Sequence, residues 1–348
     1  MMRTILTTVG TSLLTNLRRD QSVARPGRQH LVQYLRQTSP ERACAETNSL
    51  TRLVQEGDRI IFLHSQTDEG RLCAEALASH YEGQRFSTRL QEVADLTYAE
   101  NRFKLRGLRS LVATMIALLR QERAQGREVL INATGGFKAE IAYATLVGLL
   151  FDVPVYYIHE AFRDIIAMPP APISWDYTII ADHDEFFEWL HEDFRLSREV
   201  EARVRHLPPE IHLLLAEEEG YTFLSPAGEA FYEAYLEQLT RSATVPLFLS
   251  EEAHETYEKA SPAIRTRFAR ALEKLRLITV RRNRSDRVRN SDCLVYPKGH
   301  CDERLFYFED EEGRVMVCLL TRHSDRSYER AIERGVYQRH FHQFRPWP

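Results

Sequence analysis

Cysteine is scarce and scattered: the chain holds five in 348 residues, with no C-x-x-C pair. That spacing excludes a disulfide framework and the usual zinc ribbons and fingers. Cys293, His300 and Cys301 fall close together, but in no standard zinc spacing, so no metal is expected. Long apolar runs are also missing. No stretch approaches the roughly 18 residues of a membrane span. The first residues lack the basic, apolar and cleavage regions of a secretory signal. With the reduced pattern of cysteine usage, this predicts a cytoplasmic protein with no membrane partner. Glycine (15) and proline (14) are too few for a collagenous or low-complexity chain. The net charge of −4 excludes a protein that is basic throughout. H-E-x-x-H, a nucleophile elbow and a Walker loop are all absent.

What is present is an ordinary globular composition, 43% hydrophobic and 28% charged, long enough for two or three domains. Charge is unevenly placed. From residue 245 onward there are 20 Lys/Arg against 16 Asp/Glu, while the remainder holds 26 against 34. A basic end on an acidic body points to a polyanion partner at that end.

Hydrophobic patterning predicts strands at Arg3–Val9, 58–64, 89–93, 128–132 and 153–159. Helices are expected at 30–36, 49–55, 71–81, 101–125 and 139–150. This alternation predicts an α/β domain over residues 1–180, with a parallel sheet and ligands outside the carboxyl ends of its strands. A proline-rich break at 168–172 follows. Residues 181–244 read as helix, helices near 200–204 and 211–217, a short strand at 221–224 and a last helix, which suits a winged-helix-like module. Three consecutive glutamates at 217–219 speak against DNA contact and favour a linker or dimerisation role. Residues 245–348 read as a strand, two helices, an arginine-rich loop at 281–290, three strands and a terminal helix, a compact α+β domain.

Two expected strand ends carry small polar and glycine turns: Gly10-Thr11-Ser12, and Asn132-Ala133-Thr134-Gly135-Gly136-Phe137-Lys138. Glycines let backbone N–H groups approach an anion, hydroxyls add hydrogen bonds, and a following helix N-terminus adds partial positive charge. Lys138 adds a full charge. This chemistry suits a phosphate or nucleotide.

In this order the two turns resemble the signatures of CRISPR-associated Rossmann-fold (CARF) domains. The resemblance implies a homodimer that binds a cyclic oligoadenylate as allosteric activator, with cyclic tetra-adenylate as the expected ring and no other cofactor. Carried over by position, the ligand contacts are Gly10, Thr11, Ser12, Asn132, Thr134, Gly135, Gly136 and Lys138. Some such domains also cleave their ligand slowly, with the residues matching Ser12 and Lys138.

The last hundred residues hold Glu303-Arg304-Leu305-Phe306-Tyr307-Phe308-Glu309, then a hairpin ending at Thr321-Arg322, then Tyr328. This resembles the RelE/ParE toxin fold, whose active members are mRNA interferases that cut on the ribosome. The resemblance implies ribosome and mRNA as partners and a catalytic set of Arg304, Arg322, Tyr328, Lys298 and His300, with His340 and His342 secondary. Such a site needs no metal. Arginines would stabilise the dianionic phosphorane, and a tyrosine or basic group would move protons. The product would be a 2′,3′-cyclic phosphate. The expected whole is a cyclic oligoadenylate-activated, ribosome-dependent endoribonuclease of CRISPR defence. A winged-helix transcriptional regulator and a ring nuclease stand as alternatives.

Overall fold

The structure, a computed structural model, describes residues 2–97, 103–158, 164–299 and 301–348. His300 and the first residues of the helix expected at 101–125 lie outside the described residues. The chain divides into two compact units: Met1–Ile173 with Phe187–Glu233, and Ser174–Phe186 with Ala234–Pro348. The segment expected to form a separate linker module, 181–244, is thus shared between them.

The first unit is built on six strands: β1 (Arg3–Val9), β2 (Arg59–Ser65), β3 (Ser87–Val93), β4 (Glu128–Asn132), β5 (Val155–Tyr157) and β6 (Ile166–Met168). Their order is β3-β2-β1-β4-β5-β6, parallel except for β6. β1 is buried along nearly its whole length, as a central strand covered on both faces requires. Ile5 sits between Ile60 and Leu130 in register. Leu13, Leu17, Leu31, Leu50 and Leu77 from the covering helices pack on Phe62 and Tyr81 to form the core of one face. From β1 the chain steps outward through β2 to β3, then crosses back to lay β4 on the other side of β1. The gap between the carboxyl ends of β1 and β4 is therefore the topological switch point, where α/β sheets form a crevice.

Several expectations shift. The chain from Ser12 is helical to Gln21, because Leu13, Leu14 and Leu17 supply a buried stripe. The fifth strand is shorter than expected, and the segment before the prolines returns as antiparallel β6 to close the sheet edge. Residues 211–217 are not a helix. A 3-10 turn at Pro209–Leu214 leads into strand β8 (Leu215–Glu218), which pairs with β9 (Tyr221–Leu224) and, beyond it, β7 (Arg195–Leu196). Glu219 and Gly220 join β8 to β9, both at positive φ (54° and 78°), the turn whose twist matches a hairpin. The three glutamates thus lie on a hairpin.

The second unit carries a six-stranded sheet made of β10 (Leu247–Leu249), β11 (Asp286–Arg287), β12 (Leu294–Tyr296), β13 (Glu303–Glu309), β14 (Val315–Arg322) and β15 (Arg345–Pro346). The order is β11-β12-β13-β14-β10-β15, with only β10 and β14 parallel. Phe306, Val295, Cys318 and Val336 form a core on one side of it. The arginine-rich stretch expected as a solvated loop folds instead as helix Ile278–Arg284 followed by β11. Arg281 is buried. Its guanidinium donates to the Leu275 and Arg276 carbonyls at 2.8 and 2.7 Å and to Glu309 at 3.0 Å. It ties a helix end to the sheet and is not presented to RNA. Among the described residues, no helix is long and apolar enough to cross a membrane.

Candidate functional site

The loops leaving β1 and β4 meet at the switch point. The cavity there, about 430 Å³, is lined by Gly10, Thr11, Ser12, Thr134, Gly135 and Gly136, together with Thr15, Asn16, Ala45 and Phe137. Two helices start beside it, Ser12–Gln21 and Lys138–Leu150. Their free N–H groups and dipoles favour an anion at that position. The two loops are joined tightly. The Thr8 hydroxyl donates to the Gly135 carbonyl at 2.6 Å. A side chain at Gly10 would come within 2.7 Å of the Gly136 nitrogen, so only glycine allows this approach. Gly136 itself has φ +94°. The Ser12 hydroxyl accepts the Ala45 N–H at 3.3 Å.

Six of the eight ligand candidates thus converge on one cavity. Asn132 and Lys138 do not line it. Asn132 is fully buried, and its Oδ1 accepts the Thr134 hydroxyl at 2.9 Å, so it shapes the loop from below. Lys138 is exposed on the first turn of its helix, next to the half-exposed Phe137.

Behind the loops lie two buried carboxyl groups that the motifs did not flag as site residues. Glu46 accepts the Gly10 N–H at 2.7 Å. Glu140 abuts Gly136. Burial raises the pKa of both, Glu140 to about 7 with Glu46 adding to its shift. Among the described residues, no hydrogen-bond partner meets Glu46 Oε2, Glu140 Oε1 or Asn132 Nδ2. Glu140 follows Lys138 by two positions, a signal readable in the motif. Glu46 comes from a separate helix, Ala45–Leu53, and carries no such signal.

In the second unit the expected catalytic set is not assembled on one face. The hairpin register pairs Arg304 with Thr321 and Glu303 with Arg322. Side chains alternate along a strand, so Arg304 and Arg322 point to opposite faces. Arg304 is buried, donating to the Glu303 and Gly299 carbonyls at 2.9 and 2.6 Å and also to the Cys301 carbonyl. Its guanidinium lies over the Tyr328 ring at 5.8 Å. Arg322 forms a two-point pair with Asp325 at 2.7 and 3.1 Å. Lys298 donates its backbone N–H to the Arg284 carbonyl, and its side chain is half-buried. His340 and His342 are exposed, with the His340 ring against Tyr337. The residue that sequence reading missed is His323. It is exposed, with its ring 5.0 Å from that of Tyr328. It directly follows Arg322, but a single histidine there has no periodic signal.

One cluster in the first unit has metal-like geometry: ligand atoms of His191, Glu229 and Glu233 lie within 4.8 Å of one another. Arg109 and Arg120 already pair with the two carboxylates at 2.9 and 2.6 Å, which neutralises the site for a cation. His191 Nε2 lies 2.9 Å from Glu233 and 3.3 Å from Glu229. The hydrogen bonds to Glu229 and Glu233 raise its pKa to about 9. Because the folded value is above the ordinary 6.5, the stabilisation is fully present below pH 6.5 and is lost as pH rises through about 9. We expect urea unfolding of the His191→Gln variant to lose that slope between pH 6.5 and 9. An unchanged slope would refute the assignment.

Comparison with known proteins adds three observations. Among solved structures the chain is similar to protein VC1899 from Vibrio cholerae, at 11% identity, covering 69% of this chain and 67% of that one, with a TM-score of 0.28. It is also similar to Can2 from Sulfobacillus thermosulfidooxidans in complex with cyclic tetra-adenylate, at 14% identity, covering 70% and 69%, with a TM-score of 0.27. Residues 41–171, in the first unit, match the model of a CRISPR-associated protein family, Cas_APE2256.

Proposed function

We propose that the first unit senses a cyclic oligoadenylate, cyclic tetra-adenylate in particular, within CRISPR defence. In this reading it is a CARF domain acting as a homodimer, and two copies of the cavity hold the two-fold ring. The observation that carries the reading is the convergence of the Gly10–Ser12 and Thr134–Gly136 loops, with two helix N-termini, on one cavity at the switch point. The CRISPR-associated match over 41–171 supports it. The second unit is proposed as a metal-independent mRNA endoribonuclease of RelE type that works on the ribosome. Arg322, Tyr328 and Lys298 remain its candidate catalytic groups, with His323 added. Arg304 is reassigned to holding the backbone carbonyls of Gly299, Cys301 and Glu303.

Translating ribosomes incubated with the protein, with and without cyclic tetra-adenylate, test both halves. Ligand-dependent mRNA ends are the expected result. Ligand binding without new ends would refute the ribonuclease half alone. Recovery of a linearised ring would instead favour the ring-nuclease reading, for which Ser12 on the cavity wall is a candidate hydroxyl. Lys138→Ala should weaken cyclic tetra-adenylate binding about tenfold, or about 1.4 kcal/mol. Its exposed side chain is free to fold over a bound phosphate. Unchanged affinity in calorimetric titration would remove Lys138 from the site.

A further inference from the structure

A second cavity, about 340 Å³, lies wholly within the second unit. One wall is the helix Pro262–Leu275, on which Arg267, Arg270 and Lys274 recur three and four residues apart and so share a face. The other wall is the short acidic segment 182–185. Lys274 Nζ is 2.8 Å from Asp184. Arg270 lies 3.9 Å from Asp184 and 3.6 Å from Glu185. Arg284, from the next helix, meets Asp182 at 2.6 Å. Asp184 and Glu185 thus lie on Arg270 and Lys274, and Asp182 on Arg284, while Arg267 at the end of the row pairs with Glu303 at 3.3 Å.

This arrangement is not a core. Glu185 is 77% exposed and Arg270 36%. The Arg270–Glu185 pair lies in water and contributes only about 0–1 kcal/mol, whereas Lys274–Asp184 (16% and 20% exposed) and Arg284–Asp182 (30% and 20%) are mostly buried, so Glu185 is the member of the segment that a competing polyanion displaces most easily. Tyr296 and Cys301 line the cavity, and burial raises the pKa of both, which keeps them neutral at physiological pH. A row of cations at helical spacing, about 5–6 Å apart, suits a chain with one negative charge per unit.

We propose that this cleft binds the phosphodiester backbone of single-stranded RNA, and that residues 182–185 occupy it as an internal polyanion mimic. The choice of RNA over DNA rests on the ribonuclease reading. The masked cleft does not.

The test is fluorescence anisotropy of the full chain with a single-stranded RNA and a DNA of the same sequence, over a range of salt. The D182N/D184N/E185Q variant should bind RNA at least about tenfold more tightly than the unaltered chain, with a steeper fall in affinity as salt rises. Adding R270Q/K274Q should return binding to the original level. A control variant, E251Q/E252Q/E311Q, removes the same charge from exposed positions elsewhere and should leave binding unchanged. If the triple variant does not fold, E185Q alone alters only an exposed side chain and should tighten binding about two- to threefold. The masking is overturned if neither strap variant tightens binding, if the control tightens it equally, or if R270Q/K274Q has no effect. Equal binding of DNA would overturn the assignment to RNA and count against the ribonuclease reading, while the strap variants would still report on the cleft.

Discussion

Replacing Gly135 with alanine is expected to weaken binding of cyclic tetra-adenylate at least about a hundredfold, close to 2.8 kcal/mol. A β-carbon at this position would overlap Glu46 Oε1 and lie 2.6 Å from the Thr8 carbonyl oxygen. Neither neighbour can retreat. Thr8 belongs to the central strand β1, and its hydroxyl holds the Gly135 carbonyl itself. Glu46 is buried and held by the Gly10 N–H. The loop must therefore lift outward, which separates its N–H groups from those of the Gly10–Ser12 turn. An anion site depends on donors aimed at one point, so a small displacement costs most of the binding. Calorimetric titration checks this, with far-UV circular dichroism to show that the sheet is intact. Affinity within threefold of the unaltered protein would show that this loop does not hold the ligand.

Arg304→Ala is expected to cost the second unit about 3 kcal/mol of stability in urea unfolding. The buried guanidinium satisfies three carbonyls, and removing it leaves them short of donors at roughly 1–3 kcal/mol for each group that water cannot reach. Arg322→Ala should change stability by no more than about 1 kcal/mol, since its partner Asp325 lies on the surface three residues away. The pair of variants separates structure from chemistry. Loss of mRNA cleavage in Arg322→Ala at unchanged stability would mark a reacting group, while loss in Arg304→Ala would follow unfolding. An Arg304→Ala variant as stable as the unaltered protein would overturn the structural role given to it here.

Much of the first unit was legible because its signals are local. The run Arg3–Val9 is β-branched and uninterrupted, and Gly10 ends it. The same is true of the strand at 128–132 and its glycine turn. The spacing of Leu108, Val112, Ile116 and Leu119 marks a helical face from sequence order alone. Residues 211–217 misled because a short apolar run fits either period, and the deciding feature was the Glu219-Gly220 turn that folds the chain back. The arginine-rich stretch misled for another reason. Charge predicts solvent, yet Arg281 is buried because two helix-end carbonyls and Glu309 surround its guanidinium.

By itself the sequence determined the alternation of strands and helices, the places where strands end in glycine turns, and the basic character of the last hundred residues. These are set by neighbours along the chain. Tertiary structure decided three things. It laid β4 beside β1, so that two turns more than a hundred residues apart share one cavity. It brought Glu46 beneath that cavity from a separate helix. It chose the register that sets Arg304 opposite Thr321 and Arg322 opposite Glu303. Register could not be read in advance, because side chains alternate faces with every residue. A shift of one position between the two strands would put Arg304 and Arg322 on the same face, and only the packing of the whole sheet distinguishes the two registers.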